Sequence, residues 1–350
     1  MKIIWPSASF ALASAALFGA STPLAKLLVA TTDPWLLAGL LYLGSGLGLS
    51  LVHIAQRALN ARDTEAPLRR ADLPWLIAVV LAGGVIGPVL LMYGLARIQA
   101  STAALLLNLE GLATLVIAWI IFRENVDRRI LAGAFSILAG AALLSWQGGH
   151  SDFGWGALAI AAACLAWGID NNLTRKLSAA DPVQIAAVKG LAAGAVNLLL
   201  AFGRGAVMPA TADVLGAGLI GFFGYGLSLA LFVQALRRLG AARTGAYFST
   251  APFIGAGLAI IMFGEPLTLQ LMLGGGLMAL GVYLHLAERH AHEHVHDVMD
   301  HEHRHEHDAH HQHAHDQSDP ACEPHSHRHR HAPLTHHHPH YPDLHHRHPH

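Results

Sequence analysis

Four ionisable side chains, Lys26, Glu110, Asp170 and Lys189, stand inside stretches otherwise apolar enough to lie in lipid. A charge at mid-bilayer costs roughly 2.5–3.5 kcal/mol on insertion scales, so such groups persist where they pair or bind something. Glu110, with Asn108 two residues before it, is the first candidate for contact with a solute or a proton, because a carboxyl group can serve either. Asp170-Asn171-Asn172 is too polar for a turn that faces lipid and is expected to face a cavity. Lys189 either pairs with Asp170 across neighbouring helices or snorkels to the interface. Lys26 reads as an interfacial anchor rather than a ligand. Ser249 and Thr250, beside Pro252, add hydroxyls that either line the path or bond their own helix.

A second set of reactive groups lies at the other end of the chain. Of the 27 histidines, all but His53, His150 and His285 fall between 290 and 350. They recur as His-x-His: His290, His292, His294 and His296; His301, His303, His305 and His307; His325, His327, His329 and His331. In an extended chain alternate side chains share one side, so these runs can offer several imidazoles to one ion. Zinc, nickel, cobalt and copper all suit imidazole, and spacing does not choose among them. The tract contains few apolar residues and is expected to be disordered without metal. It is also a candidate polycation below about pH 6.5, where it would meet anionic lipid. Cys322 is a candidate soft ligand, and with Cys164 in an apolar stretch the two cysteines make no disulfide framework.

The elements that must hold these groups are membrane helices. A mean hydropathy of +0.41 across 350 residues, diluted by the polar tail, is too apolar for a soluble core. A formal charge of −1 argues against a nucleic-acid partner. A span needs about 20 mainly apolar residues, and ten such blocks fall near 8–29, 35–56, 74–95, 102–122, 130–147, 154–174, 182–203, 214–236, 244–263 and 269–287. The first block lacks a cleavage site and reads as a span, not a removed signal. Basic residues cluster after the even blocks: Arg57, Arg62, Arg69 and Arg70; Arg123, Arg128 and Arg129; Arg175 and Lys176; Arg237, Arg238 and Arg243. Short cytoplasmic loops retain positive charge, so both termini and the tail are expected in the cytoplasm of a cell-membrane protein. Glycines such as Gly44-x-Gly46-x-Gly48 and Gly83-Gly84 lie within apolar runs and are expected to let helices approach closely.

The blocks repeat. Tyr93–Ser101 resembles Gln234–Ala242, and the same offset carries Phe122-Arg123-Glu124-Asn125 onto Phe263-Gly264-Glu265-Pro266 and Gly133 and Gly140 onto Gly274 and Gly281. Earlier in each half Phe18-Gly19 matches Trp167-Gly168, Lys26 falls beside Arg175 and Lys176, and Asp33-Pro34 matches Asp181-Pro182. Five spans per copy is an odd number, so the second copy enters the membrane from the opposite face, and exchanging the two halves' conformations would alternate access. The divisions are 1–147, 148–287 and the tail 288–350.

These residues resemble the EamA-like branch of the drug/metabolite transporter superfamily over 8–287: an early aromatic-Gly, a basic residue closing the first helix, Asp-Pro before the second, and a Phe-x-Glu turn followed by spaced glycines. The resemblance implies an all-α carrier of ten helices that exports amino acids, metabolites or drugs, coupled to protons or exchange. The chain departs from the family pattern early in the second helix of each repeat, where members often carry Arg and this chain has apolar residues around Gly39–Leu41 and Lys189, and at Glu110-Gly111 and Ala251-Pro252, where they often carry Glu-Pro. The expected function is a secondary exporter of a small polar solute, monomer or homodimer in the bilayer, needing no cofactor, with a metal-binding tail of regulatory role. Two alternatives stay open: a divalent-metal transporter fed by the tail, and a membrane-anchored metal buffer or sensor. No nucleophile–base constellation suggests an enzyme.

Overall fold

The computed structural model describes residues 4–58, 68–122, 128–146, 154–174, 177, 180–239, 244, 247–286, 291–296, 299–305, 325–331 and 334–339. The helices are α1 (Ile4–Val29), α2 (Pro34–Ala58), α3 (Leu73–Val79), α4 (Gly87–Leu95), α5 (Ala100–Leu106), α6 (Asn108–Phe122), α7 (Arg128–Ser145), α8 (Trp155–Thr174), α9 (Pro182–Gly203), α10 (Thr211–Ile220), α11 (Ser228–Leu239), α12 (Ala251–Phe263) and α13 (Leu269–Leu286). Prolines open α2 and α9, where the missing N–H would be unpaired in any case. The Asp before each proline caps the helix: Asp33 accepts from the amides of Trp35 and Leu36, and Asp181 from that of Val183.

Among the described residues, seven helical stretches are long and apolar enough to cross a membrane: 8–29, 34–55, 70–95, 100–121, 128–145, 182–203 and 211–232. Ala251–Phe263 and Leu269–His285 are shorter apolar helices. Within the ninth expected block, 244–263, Thr244, Tyr247 and Phe248 are also helical, and the run breaks at Ser249–Thr250 before α12 begins at Ala251. Pro252 stands in its first turn, where it cannot supply the amide that a continuous helix needs. Gly264 then ends α12 in the left-handed region at φ 61°, a conformation open to glycine.

Two of the long stretches are not uniform. A π-helical turn, Val80–Ile86, joins α3 to α4, and another, Gly221–Leu227, joins α10 to α11. Their first residues are 141 positions apart, the offset that also carries Gly133 and Gly140 onto Gly274 and Gly281. Helices α7 and α13 cross at those four glycines. A methyl group added at Gly133 would lie 2.8 Å from the Gly281 carbonyl oxygen, and one at Gly140 would lie 2.7 Å from that of Gly274. Each contact is the image of the other when the two halves are exchanged. The glycine-on-backbone packing expected of a membrane bundle is thus present where the repeat places it.

The main core fills the space among α1, α2, α4, α5 and α8, with Leu36, Leu41, Met92, Leu95 and Ile160 all but sealed from the surface. The described stretches of the tail differ from the expected unfolded chain. They form β1 (Ala291–His296), β2 (Met299–His305), β3 (His325–His331) and β4 (Leu334–Pro339), paired antiparallel as β1 with β4 and β2 with β3. Strand pairing satisfies backbone amides without an apolar core, which suits a polar chain of period two. The register sets His301, His303 and His305 opposite His329, His327 and His325.

Candidate functional site

The π-helical turn Val80–Ile86 organises the middle of the bundle. A π turn shifts the hydrogen-bond ladder, and Pro88 lacks the N–H that would bond the carbonyl of Gly84, four residues before it. The backbone groups left over are met by side chains from three other helices. Tyr42 on α2 donates its hydroxyl to the Gly83 carbonyl at 2.7 Å, and Trp167 on α8 donates its indole N–H to the same oxygen at 3.0 Å. Asn197 on α9 donates its amide to the Gly84 carbonyl at 2.9 Å. All three side chains are buried, where an unpaired carbonyl would cost about 1–3 kcal/mol.

The charged residues gather beside this turn. The Lys189 ammonium donates to the Asp170 carboxylate, an ion pair between α9 and α8 that leaves both side chains mostly buried. Thr174, one turn after Asp170, donates to the other carboxylate oxygen at 3.2 Å. Snorkelling of Lys189 is therefore not what this conformation shows: a partner one helix away holds the ammonium. Gly83 lies against the Asp170 carboxylate so closely that a methyl group there would collide with it. On the neighbouring face Asn171 donates its amide to Glu110 Oε1 at 3.0 Å and lies 3.2 Å from the Thr114 hydroxyl. Asn171 follows Asp170 in the chain, so Glu110 on α6 is tied to the same turn of α8 that carries the Asp170–Lys189 pair. Asn172 is spent on the carbonyls of Thr114 and Gly168, where α8 packs on α6.

A cavity of about 50 Å3 opens next to Lys189, lined also by Tyr42, Ser45, Tyr225 and Leu229. Solute pockets usually measure about 300–1,000 Å3, so this conformation is too constricted for a bound solute, and the helices must part to admit one. Tyr225 comes from the second π-helical turn; its ring lies tilted at 5.5 Å from Tyr42 and edge-on at 6.2 Å from Phe18. Tyr42, which bonds the first π turn, and Tyr225, from the second, therefore line one cavity.

Other expected residues have other work. Asn108 donates to the Leu105 carbonyl at 2.8 Å, and the Cys164 thiol reaches the Leu106 carbonyl at 3.6 Å. Both serve the break between α5 and α6, so Asn108 is a backbone support in this conformation. Thr250 donates to the Tyr247 carbonyl of its own turn at 2.6 Å, and Ser249 beside it is half-buried. Lys26 donates to the carbonyls of Leu95 and Ile98 at the end of α4. Among the described residues no group of three or more His, Cys, Asp or Glu could hold a metal. His290 and His307 lie outside the described residues, as do the side chains of the other tail histidines. Tyr42, Trp167, Asn197 and Glu265 are site or support residues that sequence reasoning passed over. Asn197 alone carried a signal, a bare amide within an apolar span.

The sequence profile of the EamA-like transporter family matches twice, over residues 5–146 and again over 154–287. An uncharacterized transporter of Methanothermobacter thermautotrophicus is 28% identical over 81% of this chain and 87% of its own length. A probable terminal-alkyne amino-acid exporter of Streptantibioticus cattleyicolor is 29% identical over 69% of this chain and 83% of its own. A probable 4-amino-4-deoxy-L-arabinose-phosphoundecaprenol flippase subunit of Pseudomonas paraeruginosa is 37% identical over 32% of this chain and 95% of its own length. A solved structure at 20% identity superposes with a TM-score of 0.58 over 79% of this chain and 95% of that one, a likeness of fold.

Proposed function

The chain belongs to the EamA-like transporter family, a multi-pass membrane transporter of small solutes, and from that premise we propose that it exports a small polar solute across the cytoplasmic membrane by alternating access. The moving parts are two inverted five-helix halves, 1–147 and 148–287, with both termini in the cytoplasm. Support comes from the matched π turns and from the reciprocal glycine crossing of α7 and α13, which a two-fold relation in the membrane plane would produce.

The observation that carries the reading is the buried Asp170–Lys189 pair, its lysine lining a constricted cavity, with Glu110 held by Asn171, the residue after Asp170. Buried charges of both signs are costly and poor at adding stability, so a membrane protein that keeps them has a use for them. A solute with both an ammonium and a carboxylate finds a partner for each here, Glu110 for one and Lys189 for the other. An amino-acid-like solute fits that description, and an amino-acid exporter is among the relatives. Glu110 is also the residue to bind a coupling proton in exchange for the solute.

Proteoliposome transport with and without residues 288–350 tests the function. Organic-solute flux that persists without the tail and responds to zinc or nickel in its presence supports export with a regulatory tail. Flux of the metal itself, lost with the tail, would move the assignment to metal transport. Glu110→Gln is the sharpest residue test: it is expected to lower solute flux at least tenfold and to flatten its dependence on pH. Unchanged flux and an unchanged pH profile would remove Glu110 from the path.

A further inference from the structure

We propose that Lys26 and Glu265 form a latch that holds the outer mouth of the carrier shut in this conformation, the outer face being the one opposite the arginine-rich loops. The inference rests on the transport reading and deepens it by naming positioning residues for the change of access. It starts from the corner between α4 and α5. The end of one helix and the start of the next expose unpaired carbonyls and unpaired amides side by side, and the helix dipoles make the first set attractive to a cation and the second to an anion. The corner receives one of each. The Lys26 ammonium donates to the carbonyls of Leu95 and, at 2.8 Å, Ile98. The Glu265 carboxylate accepts from the amide of Ala100 at 2.8 Å through one oxygen and from that of Ser101 at 2.9 Å through the other.

The origin of these groups gives the arrangement its meaning. The residue that would ordinarily cap α5 is Gln99, whose side chain makes no capping bond. The cap comes instead from Glu265, 165 positions away in the other half of the chain, at the turn where Gly264 reverses the backbone. Lys26 and Glu265 also attract each other electrostatically, so the two contacts support one another. Close packing accompanies the latch. Gly255 of α12 meets Gly19 of α1 and Ala104 of α5 near van der Waals limits, and Gly156 of α8 meets Ile98 and Gly94. Towards the other end of the same bundle the cavity at Lys189, Ser45 and Leu229 remains. The passage is therefore sealed at the end that bears the latch and hollow towards the other, and opening the sealed end requires the two halves to give up the charge-assisted Glu265 cap, which Lys26 supports from within the first half.

The test is accessibility, read without any solute, so a protein that transports nothing in the vesicle assay leaves its outcome unaffected. In full-length protein with Cys164→Ala and Cys322→Ser, single cysteines are introduced as Ser101→Cys or Ser45→Cys. Ser101 is fully buried behind the latch and its hydroxyl has no hydrogen-bond partner, which makes it a mild reporter; Ser45 lines the cavity. A membrane-impermeant maleimide is applied to right-side-out and to inside-out vesicles. Glu265→Gln is expected to speed labelling at 101 from outside about tenfold, the scale of a lost helix cap, and to slow labelling at 45 from inside, since one state gains what the other loses. Lys26→Met, with Glu265 intact, should act in the same direction and serves where the first variant does not reach the membrane. Unchanged labelling at 101, or faster labelling at both positions together as in a general loosening, overturns the latch.

Discussion

The two π-helical turns hold the same place in the two halves yet have different surroundings. Around Val80–Ile86 stand Tyr42, Trp167 and Asn197, which bond the carbonyls of Gly83 and Gly84, with the Asp170–Lys189 pair beyond them. At the repeat-related positions around Gly221–Leu227 the chain has Gly190, Phe18 and Leu49, none with a side-chain donor, and Leu229 where the first turn has Pro88. Leu41 stands where Lys189 does, and Ser21 where Asp170 does. One lobe is thus clamped and charged, the other apolar and aromatic. The two similar segments differ in what bonds them: side-chain donors meet the carbonyls of the first, while the repeat-related positions beside the second carry none. In an alternating mechanism the unclamped turn, which carries Tyr225 into the centre, is the better hinge.

The largest effect should come from the ion pair. Lys189→Met leaves the Asp170 carboxylate buried without its counter-ion, with only the Thr174 hydroxyl still donating to it, and is expected to destabilise the protein by about 3–5 kcal/mol, seen as a lower melting temperature in detergent and loss of transport. Adding Asp170→Asn should restore most of the stability but not the transport; recovery of both would mean that the charges serve folding alone. Next comes the clamp. Asn197→Leu, which writes the second lobe's residue into the first, leaves the Gly84 carbonyl unpaired and should cost about 1–3 kcal/mol. Trimming Leu49 to Ala in the other lobe should cost no more than an ordinary core truncation, with the access equilibrium unmoved; equal shifts of that equilibrium in both variants would erase the contrast.

A subtler comparison concerns the latch. The repeat sets Glu124 opposite Glu265, and Glu124 lies outside the described residues. Glu124→Gln is expected to shift maleimide labelling at positions 45 and 101 in the direction opposite to Glu265→Gln, by up to about tenfold; a shift in the same direction would break the equivalence of the two faces. The smallest structural effect belongs to the tail. Removing 288–350 should leave the melting temperature of the membrane body within about a degree, because no packed core is lost, while abolishing zinc or nickel binding measured by calorimetry.

Much of this was legible before any coordinates. Pro34 and Pro182 after Asp mark helix starts, Gly264 marks an end, and the spacing of Gly133 and Gly140 matches that of Gly274 and Gly281. Intramembrane Glu110, Asp170 and Lys189 were conspicuous because lipid makes charge expensive. Apart from the Lys189–Asp170 pair, one of two open readings, what escaped was the identity of partners. Lys26 reads as an anchor in sequence, yet its ammonium closes the end of α4. Asn108 looked like a path residue and instead supports the α5–α6 break. Tyr42 is unremarkable in an apolar helix until Gly83, 41 positions away, presents a carbonyl to it.

By itself, then, the sequence determined which segments must be helical and apolar, where they stop, that the pattern runs twice, and which side chains lipid would not tolerate unpaired. These follow from local backbone sterics and from the cost of transferring charge out of water, and both act residue by residue. Only the tertiary structure decided who pairs with whom: Lys189 with Asp170, Asn171 with Glu110, Glu265 with the start of α5. A hydrogen bond is good over a few tenths of an ångström, and bringing groups 61 or 165 positions apart within that tolerance depends on how whole helices cross, which no local rule contains.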